Sequence, residues 1–364
     1  MQEKRVTWAE LFFDLVFVFA ITQVSALLHA DHGWQGLLRA LVIFVPIYWA
    51  WVGTSIHANT NDVDTPAERI GIFAVGLCAL FMALAVPQAY GTRGLLFGLS
   101  YFAIRLFLAF LAYRVQPLTL RAYGIAALVS GPLLVIGALL DGPARLVAWG
   151  LAALTDLATP MIARSRLRNV RFDPNHLPER FGLFLIIALG ESIVATGMPA
   201  ATASHLDAGM IAAVSAAFVL VCALWGVYYH YAASAIVHAM RTAPLATEII
   251  RPVLSYGHLG FVAGIVTMAS GMAEVVAHPL AALPLPTAGL LYGGCALYLA
   301  TFGYTRWRMF RKAAKTRVGA AIVVLAVLPA TPLLPALAAL ALLAALVVAL
   351  NVLEYLLVTH RGGL

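Results

Sequence analysis

Long apolar runs, each about twenty residues and broken only by short polar segments, follow one another along almost the whole chain. Under a hydropathy window of about 19 residues they fall at 7–28, 35–56, 69–88, 94–114, 120–140, 144–163, 178–198, 207–232, 250–272, 286–306, 315–333 and 335–357. A run of that length crosses the hydrocarbon core of a bilayer as an α-helix, because no water is present there to satisfy an open backbone. Composition agrees: of 364 residues 62% are hydrophobic and 11% charged, and the mean hydropathy is +0.92. A soluble domain carries roughly twice that share of charge, so a water-solvated globular fold is excluded. With about 30 residues per span and connection, the expectation is an all-α polytopic membrane protein of about twelve transmembrane helices. No length remains for a soluble domain, so the chemistry is expected among the helices. The last two spans are ambiguous. Pro329, Pro332 and Pro335 punctuate a continuous apolar stretch that reads as two short spans or as one span and a re-entrant piece.

Charge supplies the orientation. Nineteen of the 23 Lys and Arg residues fall on the side that holds the N-terminus, among them Lys4, Arg5, Arg69, Arg180 and the clusters at 164–171 and 306–317. Arg39, Arg93 and Arg145 fall on the other side, and Arg105 lies inside the fourth span. By the positive-inside rule both termini are expected in the cytoplasm. The sequence pI near 9.5 then reflects loops facing lipid headgroups; the expected partner is the bilayer, not nucleic acid. Cys78, Cys222 and Cys295 lie in apolar runs without CxxC spacing and read as small buried hydrophobes. The first apolar segment does not read as a cleavable signal, because Glu10 and Asp14 interrupt it and no A-x-A site follows.

The two halves share landmarks. Glu10-Leu-Phe12 opens helix one and Glu179-Arg-Phe181 opens helix seven, while Trp51 to His57 closes helix two and Trp225 to His230 closes helix eight. Leu95-Leu-Phe-Gly98 parallels Leu290-Leu-Tyr-Gly293, and Asp156 in helix six falls opposite Asn351 in helix twelve. These matches predict two six-helix repeats, 1–172 and 173–364. The repeats are parallel, because an even number of spans returns the chain to its starting side.

Ionisable residues inside spans carry the functional information, since each costs about 2.5–3.5 kcal/mol at mid-helix on insertion scales. The candidate catalytic set is Glu191, Asp14, Glu10 and Glu179; the candidate substrate-binding or ion-pair set is Arg105, Asp156, His258, His57 and His230. Glu10 and Asp14 are four apart and share a helix face. From a rise of about 1.5 Å per residue, Asp14 and Asp156 lie roughly 10 Å from the cytoplasmic end, Arg105 and His258 about 12–13 Å, and Glu191 about 18 Å. These depths predict one polar cavity open to the cytoplasm, walled by helices one, four, six, seven and nine. Arg105 either partners a carboxylate, Asp14 first and Asp156 second, or binds substrate as a cation. Glu10 and Glu179 sit in first turns and fit dipole or capping roles, while His57 and His230 fit interfacial polar tips. Asp14 and Glu191 are acidic, deep and outside a first turn, so they are the expected functional carboxylates, Glu191 before Asp14. Phe12, Phe13, Phe17 and Phe19 read as lipid-facing or packing surface.

No HExxH, paired CxxC, Walker loop, GxSxG or helix-opening GxGxxG is present. No metal or cofactor is therefore expected. Asn61-Asp62-Val63-Asp64 has the carboxylates to hold a magnesium ion on a phosphate, a pattern that ordinary loops also show.

The opening Val6-Thr7-Trp8-Ala9-Glu10-Leu11-Phe12-Phe13-Asp14-Leu15-Val16-Phe17-Val18-Phe19-Ala20, followed by Ile21-Thr22-Gln23, resembles the bacterial low temperature requirement A proteins. So do His176-Leu177-Pro178-Glu179-Arg180-Phe181-Gly182-Leu183 and Leu189-Gly190-Glu191-Ser192-Ile193, and the resemblance runs from helix one to helix twelve. It implies a multi-pass protein of the bacterial cytoplasmic (inner) membrane and brings no settled biochemical activity. Its signature stretches contain Glu10, Asp14, Glu179 and Glu191. Two function classes stay open. One is a secondary, proton-coupled transporter of a small or amphipathic molecule, whose carboxylates exchange protons as a cavity alternates its exposure. The other is an intramembrane enzyme, for example a membrane terpene cyclase, that uses a buried carboxylic acid as general acid on a lipid or isoprenoid.

Overall fold

A computed structural model of the chain describes residues 4–115, 120–167 and 170–360. It is 86% helical, with no strand among the described residues. Its helices are α1 (Trp8–Ala30), α2 (Trp34–Thr60), α3 (Pro66–Ala85), α4 (Gly94–Val115), α5 (Ala122–Ala138), α6 (Gly142–Ile162), α7 (His176–Thr202), α8 (Ala208–Thr242), α9 (Thr247–Ala277), α10 (Leu285–Phe310), α11 (Lys315–Leu333) and α12 (Ala336–Thr359).

Ten of these are long and apolar enough to cross a membrane, so the expectation of twelve spans is met in part. The two outside that group are α5 and α6. The first is short and carries a π-helical turn at Ala126–Ser130. The second, 21 residues long, includes Arg145, Asp156 and two threonines. At the C-terminal end, Leu328–Leu333 tightens into a 3-10 turn and Leu334 is extended, which leaves α11 and α12 as two separate apolar helices.

The chain packs as two compact units, Met1–Phe184 with Met240–Arg251, and Leu185–Ala239 with Pro252–Leu364. In the first unit α2 is the central element. Residues 42–55 are buried without interruption, as expected for a helix that is apolar all round. It contacts α1, α3, α4 and α6, while α3 packs on α1 and α4, and α5 packs on α4 and α6. In the second unit α9 packs on α10, α10 on α11, α11 on α12, α12 on α8, and α8 on α9.

Lipid tails are as apolar as leucine, so helices in a membrane associate through close packing of small residues rather than hydrophobic exclusion. The contact between α9 and α10 is of this kind: a Cβ on Gly264 would lie 2.7 Å from the carbonyl oxygen of Gly294, and one on Gly294 would lie 2.6 Å from Thr267 Oγ1. The neighbouring Gly293 faces open space. Gly294→Ala is therefore expected to destabilise the protein by about 1–3 kcal/mol through overpacking. Gly293→Ala is expected to be neutral or slightly stabilising, because alanine is the better helix former. Thermal unfolding of the two variants in detergent checks this, and equal melting temperatures would contradict it.

Candidate functional site

The first unit buries an ionic network between α1 and the first turns of α7. Thr7 caps α1: its hydroxyl faces the Glu10 backbone N–H at 3.4 Å, and its own backbone N–H donates to Glu10 Oε2 at 2.8 Å. This reciprocal capping holds the Glu10 carboxylate at the helix entrance. One turn further along the same face lies Asp14, and both carboxylates are fully buried. Arg180 reaches them from α7, donating from Nη1 to Glu10 Oε1 at 2.6 Å and from Nη2 to Asp14 Oδ1 at 2.6 Å. Trp51 of α2 adds a third donor, its indole N–H lying 2.7 Å from Asp14 Oδ1. The Trp51 ring stacks on Phe184 at 3.9 Å and meets Phe181 edge-on at 4.8 Å, closing the network off with aromatic carbon.

His176, one turn before Arg180, joins from the same face, with Nε2 3.2 Å from Glu10 Oε1. Its ring is oriented by its neighbours. Asn59 Oδ1 accepts from the Asp173 backbone N–H and Nδ2 donates to the Asp173 carbonyl, which orients the amide. The same Nδ2 lies 3.2 Å from His176 Nδ1, so the imidazole is held between the Asn59 amide and Glu10. The cluster sets the two carboxylates of Glu10 and Asp14 against the one guanidinium of Arg180, with the His176 imidazole beside Glu10. Asp14 Oδ2 and Arg180 Nε are buried with no hydrogen-bond partner.

Above this network opens a polar basin of about 1500 Å³, whose wall includes Lys4, Thr7, Asn59, Asp62, Asp64 and Asp173. Lys4 ties the N-terminal segment across the end of α2, its ammonium donating to the carbonyls of Ala58, Asn59 and Asn61. A cation is favourable there because the carbonyls at a helix C-terminus are unpaired and carry its negative dipole end. Burial pushes the Lys4 ammonium below the usual lysine range, opposed by the charges of Glu10, Asp62 and Asp173.

A second network lies across α2. Tyr101 of α4 donates to Asp156 of α6, and Arg105 Nε donates to the Tyr101 oxygen at 2.7 Å. Arg105 Nη2 stands 3.5 Å from Asp156 Oδ1, with both side chains buried. Tyr123 donates to the Gly53 carbonyl at 2.9 Å, and a Cβ on Gly53 would come within 3.2 Å of Arg105. Trp51 and Gly53 are two residues apart and therefore on opposite sides of α2, so each face of this helix serves one network.

The expected partner of Arg105 was Asp14 before Asp156; the structure corrects that order, because Arg180 already occupies Asp14. Glu179 is exposed, since one residue before Arg180 is a turn of about 100° away from the buried face. His230 is exposed as well, edge-on to Tyr231. His57 is buried, with Nε2 2.8 Å from Glu68 Oε2 and Nδ1 3.1 Å from the Asn61 amide. In the second unit Glu191 is buried, and His258 Nε2 accepts from the Tyr228 hydroxyl at 2.7 Å while its Nδ1 donates to Val253 O at 3.1 Å. Within the first unit, the ionisable residues form separate networks and Asp14, Arg105 and Asp156 do not line the basin. Arg180, His176, Trp51 and Tyr101 were not among the expected site residues. A signal for two of them was present: Glu10 and Asp14 are four apart on one helix, and His176 and Arg180 are four apart on another. Among the described residues, no group of His, Cys, Asp and Glu is arranged to hold a metal ion.

A family model described as bacterial low temperature requirement A protein (LtrA) matches residues 5–352. An uncharacterized protein of Rhizobium meliloti (strain 1021) is 30% identical over 319 residues, covering 82% of this chain and 76% of the relative. No solved structure matches.

Removing one partner of a buried ion pair strands the other, at a cost of about 3–5 kcal/mol. Arg180→Met is expected to lose that much stability, whereas Glu179→Ala at its exposed neighbour should stay within about 0.5 kcal/mol. Arg105→Ala is expected to be partly rescued by Asp156→Asn and not by Asp14→Asn. Thermal unfolding of the single and paired variants reads both; rescue of Arg105→Ala by Asp14→Asn would refute the assignment.

Proposed function

From the premise that the chain belongs to the bacterial low temperature requirement A family and is a multi-pass membrane protein, we propose that it is a secondary transporter coupling a small or amphipathic molecule to protons. The observation that carries this reading is the imbalance of the α1–α7 network, where two carboxylates meet one guanidinium and Asp14 Oδ2 has no hydrogen-bond partner. A carboxylate excess held away from water is a place where a proton binds and leaves. A purely structural pair gains nothing from such an imbalance, because each uncompensated buried charge destabilises the fold. Asp14 is the first proton carrier in this reading and Glu191 the second. In this reading the basin opens to the cytoplasm with both termini on that side, an orientation that the distribution of Lys and Arg supports.

Helix packing supports the accompanying proposal that 1–172 and 173–364 are parallel copies, an arrangement common among carriers. In the first unit α3, α4, α5, α6 and α2 pack in that order; in the second α9, α10, α11, α12 and α8 follow the same order. Asn351 of α12 donates to the Ala223 carbonyl of α8 at 3.0 Å, across the helix pair that corresponds to α6 and α2.

Proteoliposomes loaded with a pH-sensitive dye test the proposal, challenged with fractionated polar and lipid-soluble cell extracts. At least one fraction is expected to move protons through the wild-type protein. Asp14→Asn is expected to abolish the signal, a loss of at least about tenfold, and Glu191→Gln to reduce it while both variants remain folded. Undiminished proton movement in Asp14→Asn, or none in folded wild-type protein, would refute the coupling role.

A further inference from the structure

The basin has a feature that the transport reading does not use. Its wall carries four cations, Lys4, Arg5, Arg69 and Arg171, against three carboxylates, Asp62, Asp64 and Asp173. Asp64 is paired to Arg69 at 3.0 Å, Asp173 accepts from the backbone N–H groups of Asn175 and His176, and Asp62 accepts from the Asp64 N–H. Arg5 and Arg171 are exposed on the same wall with no acidic partner among the described residues. Two guanidinium groups are thus left facing the basin, and guanidinium matches phosphate in geometry and charge.

The apolar side of the basin is equally specific. Phe12 and Phe73 line it and also line a groove of about 220 Å³ between α1 and α3, floored by Phe13, Ile72 and Gly76 and flanked by Leu77 and Leu80. Gly76 opens this groove, since its nearest neighbour on the missing side chain's path is Phe13 at 3.5 Å. Phe12, Phe73 and Leu77 are exposed, as residues that face lipid tails are. Trp8, on the basin wall at the start of α1, is 88% exposed, the position at which an indole anchors a helix to the headgroup layer. A cationic basin that runs directly into an apolar, lipid-facing groove fits one kind of ligand.

We propose that this is a binding site for an anionic phospholipid, its phosphate held by Arg5 and Arg171 in the basin and an acyl chain lying between α1 and α3. Free phosphate satisfies the first half of the site and has no use for the second; a zwitterionic lipid satisfies the groove and leaves the excess positive charge uncompensated. The site is independent of proton coupling and does not involve Asp14 or Arg180.

Native mass spectrometry of the detergent-purified full chain, incubated with dioleoyl phosphatidylglycerol or dioleoyl phosphatidylcholine, tests it. The wild type is expected to retain phosphatidylglycerol preferentially. The exposed-residue double variant Arg5→Gln, Arg171→Gln is expected to lose that preference by about 30-fold, the product of two surface arginines. Gly76→Leu, which fills the groove, is expected to lower retention of the same lipid by about tenfold. Leu77→Trp, at an exposed position of the groove, is a second obstructing variant should Gly76→Leu fail to remain monodisperse. Millimolar inorganic phosphate is expected not to displace the lipid. Equal retention of the two lipids would overturn the site. So would a loss confined to the charge variant, or displacement by inorganic phosphate, either of which means that no acyl chain is bound.

Discussion

The guanidinium of Arg180, held between Glu10 and Asp14, is the constraint on which the first unit depends. Every charged group in that network lies where water does not reach, so each is tolerable only while the others stay in place. The consequence is positional: the entrance of α1, the first turns of α7 and the middle of α2 have one mutual arrangement in which Arg180 reaches both carboxylates and Trp51 reaches Asp14. Asp14 is the member left short, with one carboxylate oxygen paired to both donors and the other to none. The lone pairs that cost energy there in the folded state are the ones that the proposed transport role would use to accept a proton.

The rest of the unit is arranged so that α2 can serve two networks. A helix apolar on every side has no face reserved for solvent, which lets Trp51 meet Asp14 on one flank while Gly53, having no side chain, admits Arg105 and Tyr123 on the other. Arg105, Tyr101 and Asp156 form a balanced set of one cation and one anion joined through a phenol, in contrast to the unbalanced set at α1. The first is suited to holding α4 and α6 together; the second is the set to which the proposed transport role assigns proton exchange. In the second unit α9 and α10 meet through close backbone contact at Gly264 and Gly294, while Arg317 of α11 pairs with Glu354 of α12 at 2.8 Å.

Much of the architecture was legible in the sequence because a bilayer leaves the backbone few choices. Helix positions followed from apolar run length, and the family from the stretches around Glu10, Asp14 and Glu191. Two spans failed the same test for physical reasons, α5 through its length and π-helical turn, α6 through its polar residues. The site was legible only by half. Burial cost singled out Asp14 correctly as a deep acid but treated Arg180 as one more loop cation, because it lies within a turn of the start of α7 where the positive-inside pattern already explains an arginine. Depth along a helix also says nothing about direction around it. That is why Glu179, matched to Glu10 by sequence, proved exposed while its neighbour Arg180 proved buried. The partner of Arg105 was misjudged for the same reason: Asp14 and Asp156 lie at equal depth, and only the side of α2 that each faces distinguishes them.

A network of this kind requires Arg180 and Asp14 to be energetically coupled and not merely adjacent. A double-mutant cycle on unfolding free energy, with Arg180→Met, Asp14→Asn and the pair, measures that coupling directly. A coupling energy above about 1.5 kcal/mol is predicted, with the double variant more stable than Arg180→Met alone because the stranded carboxylate has been removed. Additive effects within about 0.3 kcal/mol would mean that the two residues do not sense each other, and the buried network would no longer explain how α1 and the first turns of α7 are held.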